Sequence, residues 1–531
     1  MLVLAVVMRW TCDAWDLPQL WIYANTFARL DPIAVGLLVA AEWATLREDS
    51  LQRPRYRLLG SWTTLALGVV GGAIGGLLHA IATVTFNVDH IISGVAINIV
   101  GAGLAGLSTA YHLSDMRYQL YEREQEVGGL CRSYQLSGFT FDYTGHLLHF
   151  RQPPIKTLVE QLLEGNLQRH DRKSFIYSHK TYTEYPFQVN TFGLPPEVVR
   201  ECLLGFISTL TKPMASGPAS EKSFREWIFD NLGEGIAKHF MVPFNEKLWQ
   251  VPLDELTSDW VSWLVPKPDV KDVVSGALGI KDKAFGYNPS FQYPASGGIK
   301  VLPESFLPSV ENLSYDSELV EIETGRRRAV FRGAQGERTE EYERIISTIP
   351  LPELVRRCVD LPPSMRELAE SLRWVSVYNV NLAVAREGIS DKHWIYFPEH
   401  RYPFYRAGFP MNFSPSMGQP GCSSLYVEIS HRPTEQESDA ALIERVRDGL
   451  EQAGVLRSSD ELVMSDVKDL HYAYVLFDRY RGRAVKELLT ELERRGISSI
   501  GRYGLWEHTS MEDAIAQGQQ VAMRLRMRAA A

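Results

Sequence analysis

The 531 residues, 45% hydrophobic and 22% charged, exceed one compact core and predict two or more globular domains rather than a disordered chain. A net charge of −9 with no basic run excludes a nucleic-acid footprint, so a phosphorylated substrate would need local arginines. The cysteines at 12, 131, 202, 358 and 422 form no CxxC pair and no Cys/His set with zinc spacing, which predicts a reducing compartment and no metal.

Residues 1–94 read as a hydrophobic N-terminal extension. "SWTTLALGVVGGAIGGLLHAIATVTF", residues 61–86, carries no charged side chain and is long enough for a transmembrane helix. Gly71, Gly72, Gly75 and Gly76 suit close helix packing in lipid, and "RPRYR" before them predicts a cytoplasmic end. No clean cleavage site marks a removable signal. "WIYANTFARLDPIAVGLLVA" resembles a segment of membrane acyltransferases, and "GAIGGLLHAIATVTFNVDHIISGVAINIV" resembles part of a sugar-type ABC transporter permease. Two readings follow, a segment fused to the protein or a membrane anchor. The catalytic part is expected in the cytoplasm, with membrane contact only through residues 1–94.

The dinucleotide-binding pattern follows. Gly101, Gly103 and Gly106 form G-x-G-x-x-G between the strand "INIV" and the helical run "LAGLSTAYHL". The first glycine permits the tight turn, the second admits a pyrophosphate, and the third lets helix pack on strand. The helix N-terminus then offers its amides to the phosphates. "YQLYERE" ends a second strand in Glu122, spaced to meet ribose hydroxyls. Gly128, Gly129 and Leu130 come next, then "GFTFDYTGHLLHF". That succession resembles the opening of the FAD-binding amine-oxidase and UDP-galactopyranose mutase group, and it points to FAD rather than NAD.

Five further blocks occur in order: "EYPFQVN", "SFREWIFDNLGEGIAKHFMVPFNEKLWQVP", "FQYPASGGI", "DKHWIYFPEHRYPFYRAGFPMNFSP" and "GRYGLWEHTSMEDAIAQG". Together they resemble UDP-galactopyranose mutases, over roughly residues 95–525. The resemblance implies an α/β fold with a Rossmann-type FAD-binding domain, a mixed-sheet substrate domain and a helical insert. The expected boundaries are 95–191, 286–310 and 480–531 for FAD, 192–285 for the insert and 311–479 for substrate. It also implies a mutase that isomerises pyranose and furanose rings of a nucleotide-linked sugar, with reduced flavin N5 attacking the anomeric carbon. NAD(P)H or another reductant would keep the cofactor reduced.

By the same resemblance His146 belongs to the loop against the flavin, and Gly501 and Arg502 to the cofactor and sugar. Phe187, Gln188 and Trp227 hold the uracil end, and Arg172 and Asn245 line the pocket. "SMED" reads as a capping-box variant opening a helix, whose first amides at Met511 and Glu512 stabilise charge on a reduced flavin.

The diphosphate site departs from the mutase pattern. "FMVPFN" places Val242 where an arginine is expected, and the second expected arginine falls on Ala385, with Arg386 one residue off. One of two phosphate-gripping tyrosines is kept as Tyr472 or Tyr474, while the other position is His508. Arg386, Arg406 and His508 are therefore the candidate replacements. An FAD oxidoreductase of the amine oxidase or protoporphyrinogen oxidase type is the alternative, and an inactive protein the third reading. The oligomeric state is left open.

Overall fold

The computed structural model describes residues 97–211, 222–261, 265, 267–280 and 289–530. Val95–Ala531 form one compact unit. The candidate span at 61–86 lies outside the described residues. Among those described, no helix is long and apolar enough to cross a membrane.

Ile97–Val100 is buried along its whole length, as a strand covered on both faces must be. It lies at the centre of a five-stranded sheet, between Arg344–Ser347 and Tyr118–Tyr121. Ile497–Ser499 and Leu313–Ser314 are the edges, and every pairing is parallel. The helix Leu104–Tyr111 follows the glycine turn, and the C-terminal helix Met511–Ala530 lies against it. Their backbones approach so closely that a Cβ on Gly518 would come within 2.6 Å of the Ala105 carbonyl oxygen. A three-stranded antiparallel unit, Glu318–Glu323, Arg328–Gly333 and Gly336–Glu341, packs alongside, with Phe331 stacked on Tyr121 at 3.8 Å.

The second large sheet has seven strands. In order they are Leu462–Val475, Trp374–Val384, Ser423–His431, Arg406–Gly408, Trp394–Tyr396, Ser174–Ser178 and Thr181–Glu184. Its second strand, Trp374–Val384, alternates with period two. Tyr378, Val380, Leu382 and Val384 pack with the helix Asp439–Gln452, whereas Val377 and Ala383 join apolar clusters with residues of the 130–143 region.

Helices Pro196–Thr211, Phe224–Ile236, Val242–Trp249 and Val270–Ala277 occupy the stretch expected as an insert. A π-helical turn, Ala237–Met241, precedes Val242.

Two expected boundaries are corrected. Ser174–Ser178 and Thr181–Glu184 were assigned with 95–191 to the FAD domain, but they close the seven-stranded sheet. Leu313–Ser314 and Arg344–Ser347 were assigned with 311–479 to the substrate domain, but they pair into the parallel sheet. Parallel pairing forces the chain to leave and return through long crossovers, and a strand of two to five residues carries no mark of the sheet it joins.

Candidate active site

The glycine turn holds the geometry its spacing predicts. Gly101 adopts φ +94° and donates its amide to the Tyr121 carbonyl at 2.8 Å. A Cβ on Gly106 would collide with the Gly101 carbonyl oxygen, so the third glycine is set by helix-on-strand packing. A Cβ on Gly103 would meet nothing within 4 Å, and no side chain caps the helix that Gly103 opens. Uncapped helix amides beside open space are what a pyrophosphate needs.

Glu122 is buried at the end of its strand, and burial raises its carboxyl above the ordinary range. It accepts the Ala102 amide at 2.7 Å and the Glu124 amide at 3.1 Å, which fixes the carboxylate beside the turn. Gly128 bridges Gly103, and Gly129 and Leu130 follow. These residues fit the dinucleotide end of FAD.

His146 donates Nδ1–H to the Thr144 carbonyl at 3.2 Å, since a carbonyl only accepts, and Nε2 is left as an acceptor. Burial pushes its imidazole down to about 4, against an opposing effect from that carbonyl, so the ring is neutral at neutral pH. Arg502 donates to the Thr509 carbonyl at 2.8 Å and faces the rings of Tyr474 and Tyr503. Gly501 takes φ +82° and gives its amide to Gln517 at 2.8 Å.

The expected capping box forms. Asp513 accepts the Ser510 amide at 2.9 Å and Ser510 accepts the Asp513 amide at 3.2 Å. Met511 and Glu512 lie in the first turn ahead of it. The Glu512 side chain, fully buried, also accepts the Arg151 and Gln152 amides at 2.8 and 2.7 Å, tying that loop to the helix.

A buried ionic group stands on the second sheet. Glu428 accepts from Arg406 Nε at 2.9 Å, from Arg406 Nη2 at 2.5 Å and from the Tyr405 hydroxyl at 2.5 Å. Tyr474 stands beside Tyr405 and feels the charges of Arg406, Glu428 and Arg502. The Tyr426 ring fills space that a Cβ on either Gly145 or Gly408 would occupy. His146 also feels Glu428, Arg502 and Arg406, so the flavin-side loop and the sheet face one another across this group.

Several sequence expectations are corrected here. Arg386 does not enter the site: it holds Asp460 through two bonds, at 2.8 and 2.7 Å. It follows the far end of Trp374–Val384, roughly 30 Å along the chain from Val377 at about 3.3 Å per residue. Tyr474, not Tyr472, reaches the arginines. Val375 opposes Tyr474 while Val377 opposes Leu470, and this bulge turns Tyr472 away to Trp374 and Trp506.

His508 offers no charge, because burial holds it at about 3. Its Nε2–H is given to the Val475 carbonyl at 2.9 Å, and its ring stacks on Trp249. Asn245 donates to the Met241 carbonyl and accepts from Trp249 Nε1, so its amide serves its own helix. Phe187 is a core ring stacked on Phe240, and Gln188 is buried beside it. Trp227 is half-buried near Phe224, and Arg172 lies over the Tyr185 ring. The sequence reading missed Glu428 altogether, although one acid inside the apolar run "SLYVEIS" is itself a signal of a buried partner.

The family model for flavin containing amine oxidoreductase matches residues 104–526. Among curated proteins, protoporphyrinogen oxidase 2 of Arabidopsis thaliana is 22% identical over 304 residues. That match takes in 50% of this chain and spans 59% of the plant protein's length. An L-amino-acid oxidase of Crotalus adamanteus is 22% identical over 368 residues, covering 62% of this chain and 69% of the oxidase. Among solved structures, a reduced UDP-galactopyranose mutase superposes with TM-score 0.77 at 25% identity, covering 82% of this chain and 96% of the mutase. Putrescine oxidase bound to putrescine superposes with TM-score 0.57 at 15% identity, covering 82% and 99%, a likeness of fold. The chain belongs to the flavin-containing amine oxidoreductase family, with its mixed α/β FAD-binding fold.

Proposed function

We propose that this protein is an FAD-dependent enzyme of the mutase type, acting on a nucleotide-linked sugar to interconvert its pyranose and furanose rings. The observation that carries the reading is the buried Arg406–Glu428–Tyr405–Tyr474 group standing opposite Arg502 and His146. Two guanidinium groups and several phenols suit an anionic, hydroxyl-rich substrate. A reduced flavin, when bound, supplies a nucleophilic nitrogen to such chemistry.

This chain's own residues orient and shield. Arg406 keeps its charge through Glu428 and presents the remaining donors of its fork to a phosphate. Arg502 is fixed by the Thr509 carbonyl and adds the second cation. Neutral His146 holds a proton acceptor at Nε2 in the same enclosed space.

An FAD oxidoreductase of the amine oxidase or protoporphyrinogen oxidase type is the second reading, favoured by Val242 and by the commitment of Arg386 to Asp460. Anaerobic incubation of dithionite-reduced protein with UDP-, GDP- and TDP-sugars separates the two. A mutase returns a furanose of unchanged mass with no acceptor consumed. A reaction that needs oxygen or another acceptor at every turnover would replace this reading with the oxidase.

A further inference from the structure

The helix Val242–Trp249 is fastened to the segments that carry Arg406 and Arg502, by two different faces. Residues three or four apart share a face of a helix, and residues two apart do not. Asn245 and Trp249 make one face. The Trp249 Nε1–H is given to Asn245 at 3.0 Å, and the indole stacks on His508 with the two planes 2° from parallel. His508 precedes Thr509, whose carbonyl holds Arg502. Phe244 and Lys247 make the other face. Phe244 stands edge-on to Tyr396 and Tyr405, with ring centroids 5.5 and 6.2 Å away.

Lys247 completes that second joint. Its Nζ donates to the Phe397 carbonyl at 2.6 Å and to the Glu399 carbonyl at 3.1 Å. Both carbonyls lie in the hairpin of Trp394–Tyr396 and Arg406–Gly408, where Tyr396 pairs with Arg406 and the Phe397 amide donates to the Tyr405 carbonyl at 2.9 Å. The ammonium therefore grips the hairpin one residue beyond the rung that carries Arg406. Lys247 is buried, and burial pushes its amine down to about 7. The Glu399 carboxylate opposes that shift, but its own bonds go to Arg401 and to the His179 amide. A buried ammonium bonded to neutral carbonyls gains less than an ion pair would, so this position keeps its charge at a cost in stability.

We propose that Lys247 is a positioning residue of the anion site: it locks the Arg406 hairpin to the helix whose other face holds the Arg502 loop, and so fixes the separation of the two guanidinium groups. The assignment rests on the nucleotide-sugar reading, in which one diphosphate bridges both cations. Such an anion is gripped from both sides only while their spacing matches it, to about half an ångström. A ligand that touches neither cation is indifferent to that spacing. Lys247 bonds only to backbone, so its effect reaches the ligand through Arg406.

K247M keeps an unbranched apolar stem and removes the donors. UDP is titrated into oxidised holoenzyme of wild type and K247M, and uridine is measured by its competition with UDP, with flavin content and Tm recorded for each protein. Where uridine is too weak to compete, UMP, too short to bridge two cations, takes its place. K247M is expected to weaken UDP roughly tenfold, the scale of one lost charge-assisted contact, and to leave the shorter ligand within about twofold. A general loosening of the fold would weaken both ligands alike. UDP unchanged in K247M, or both ligands weakened alike, overturns the assignment while the nucleotide-sugar reading stands. A wild-type protein that binds no UDP overturns that reading and the assignment with it. If K247M comes without flavin, K247Q, which keeps an N–H donor, is put through the same titrations with the same expectation. Loss of flavin from both variants overturns the assignment, since the clamp would then serve the fold alone.

Discussion

Val242 begins the helix Val242–Trp249 and is half-buried at the edge of the insert's core, where the mutase resemblance implies an arginine. If the pocket grips a diphosphate, Val242→Arg should tighten UDP by about ten- to a hundredfold, the worth of a charge-assisted contact of roughly 1.5–3 kcal/mol. If the pocket takes an uncharged substrate, the same change buries an unpaired cation, lowering Tm with no gain in UDP binding. Titration of UDP together with melting curves reads both outcomes. Arg406 gives the complementary test. Arg406→Leu leaves Glu428, whose side chain is fully buried, without its counter-ion and should cost about 3–5 kcal/mol. Replacing both, as Arg406→Met with Glu428→Leu, should recover much of that stability. Nucleotide binding should stay lost in both variants, which separates the pair's part in folding from its part in recognition.

At the scale of elements, the glycine turn separates two kinds of constraint. Gly106 is required by packing, because its Cβ would strike the Gly101 carbonyl oxygen. Gly103 is not: its φ is −72° and its Cβ would enter open space. Gly106→Ala should therefore lower the Tm of the apoprotein and abolish FAD binding together. Gly103→Ala should leave the apoprotein Tm within about 1 °C, since no contact of the fold is disturbed, yet weaken FAD by an order of magnitude or more, because the close approach of a pyrophosphate is blocked. Flavin titration and thermal melts of both apoproteins make the comparison. Equal FAD affinity in Gly103→Ala and wild type would place the pyrophosphate elsewhere.

Across the whole molecule, buried histidines set the response to acid. Burial pushes His146, His149 and His393 down to about 4 and His508 to about 3, all below the ordinary 6.5. A lowered histidine contributes stability that is full above the unfolded value and is lost as pH falls toward the folded one. Asp142 works the other way. Burial raises it to about 6, so its contribution is full below its unfolded value near 3.8 and is lost as pH rises through 6. Glu122, also raised by burial, acts with Asp142. The four histidines outnumber the two carboxyls, which predicts a net fall in stability from about pH 6.5 to 4, with a slope of about 1.4 kcal/mol per pH unit for each proton taken up. Melting curves across that range check it. His508→Phe, which keeps the stacking on Trp249, should flatten the acid limb by one proton. A further expectation concerns the unit Val95–Ala531, which holds both large sheets and all the site residues. Expressed alone it should be soluble and yellow and should release FAD on denaturation. An insoluble fragment beside a flavin-binding full chain would make residues 1–94 part of the fold.

The glycine spacing and the Ser510–Asp513 cap were legible in the chain because each is a local pattern, decided within a few residues by backbone sterics and hydrogen bonding. Arg502 and His146 could be named as candidates from the chain because they stand inside contiguous motifs. Which sheet received Arg344–Ser347, which of Tyr472 and Tyr474 turned to the arginines, and whether Arg386 or Arg406 joined the buried ionic group depended on register, a bulge and partners far along the chain. A one-residue shift on a strand reverses the face of a side chain, and nothing within the strand's own few residues records that shift. The sequence by itself determined the FAD-binding turn, the Ser510–Asp513 cap and the family. Only the tertiary structure set Arg406 against Glu428, because cross-strand pairing brings together residues that chain distance keeps apart.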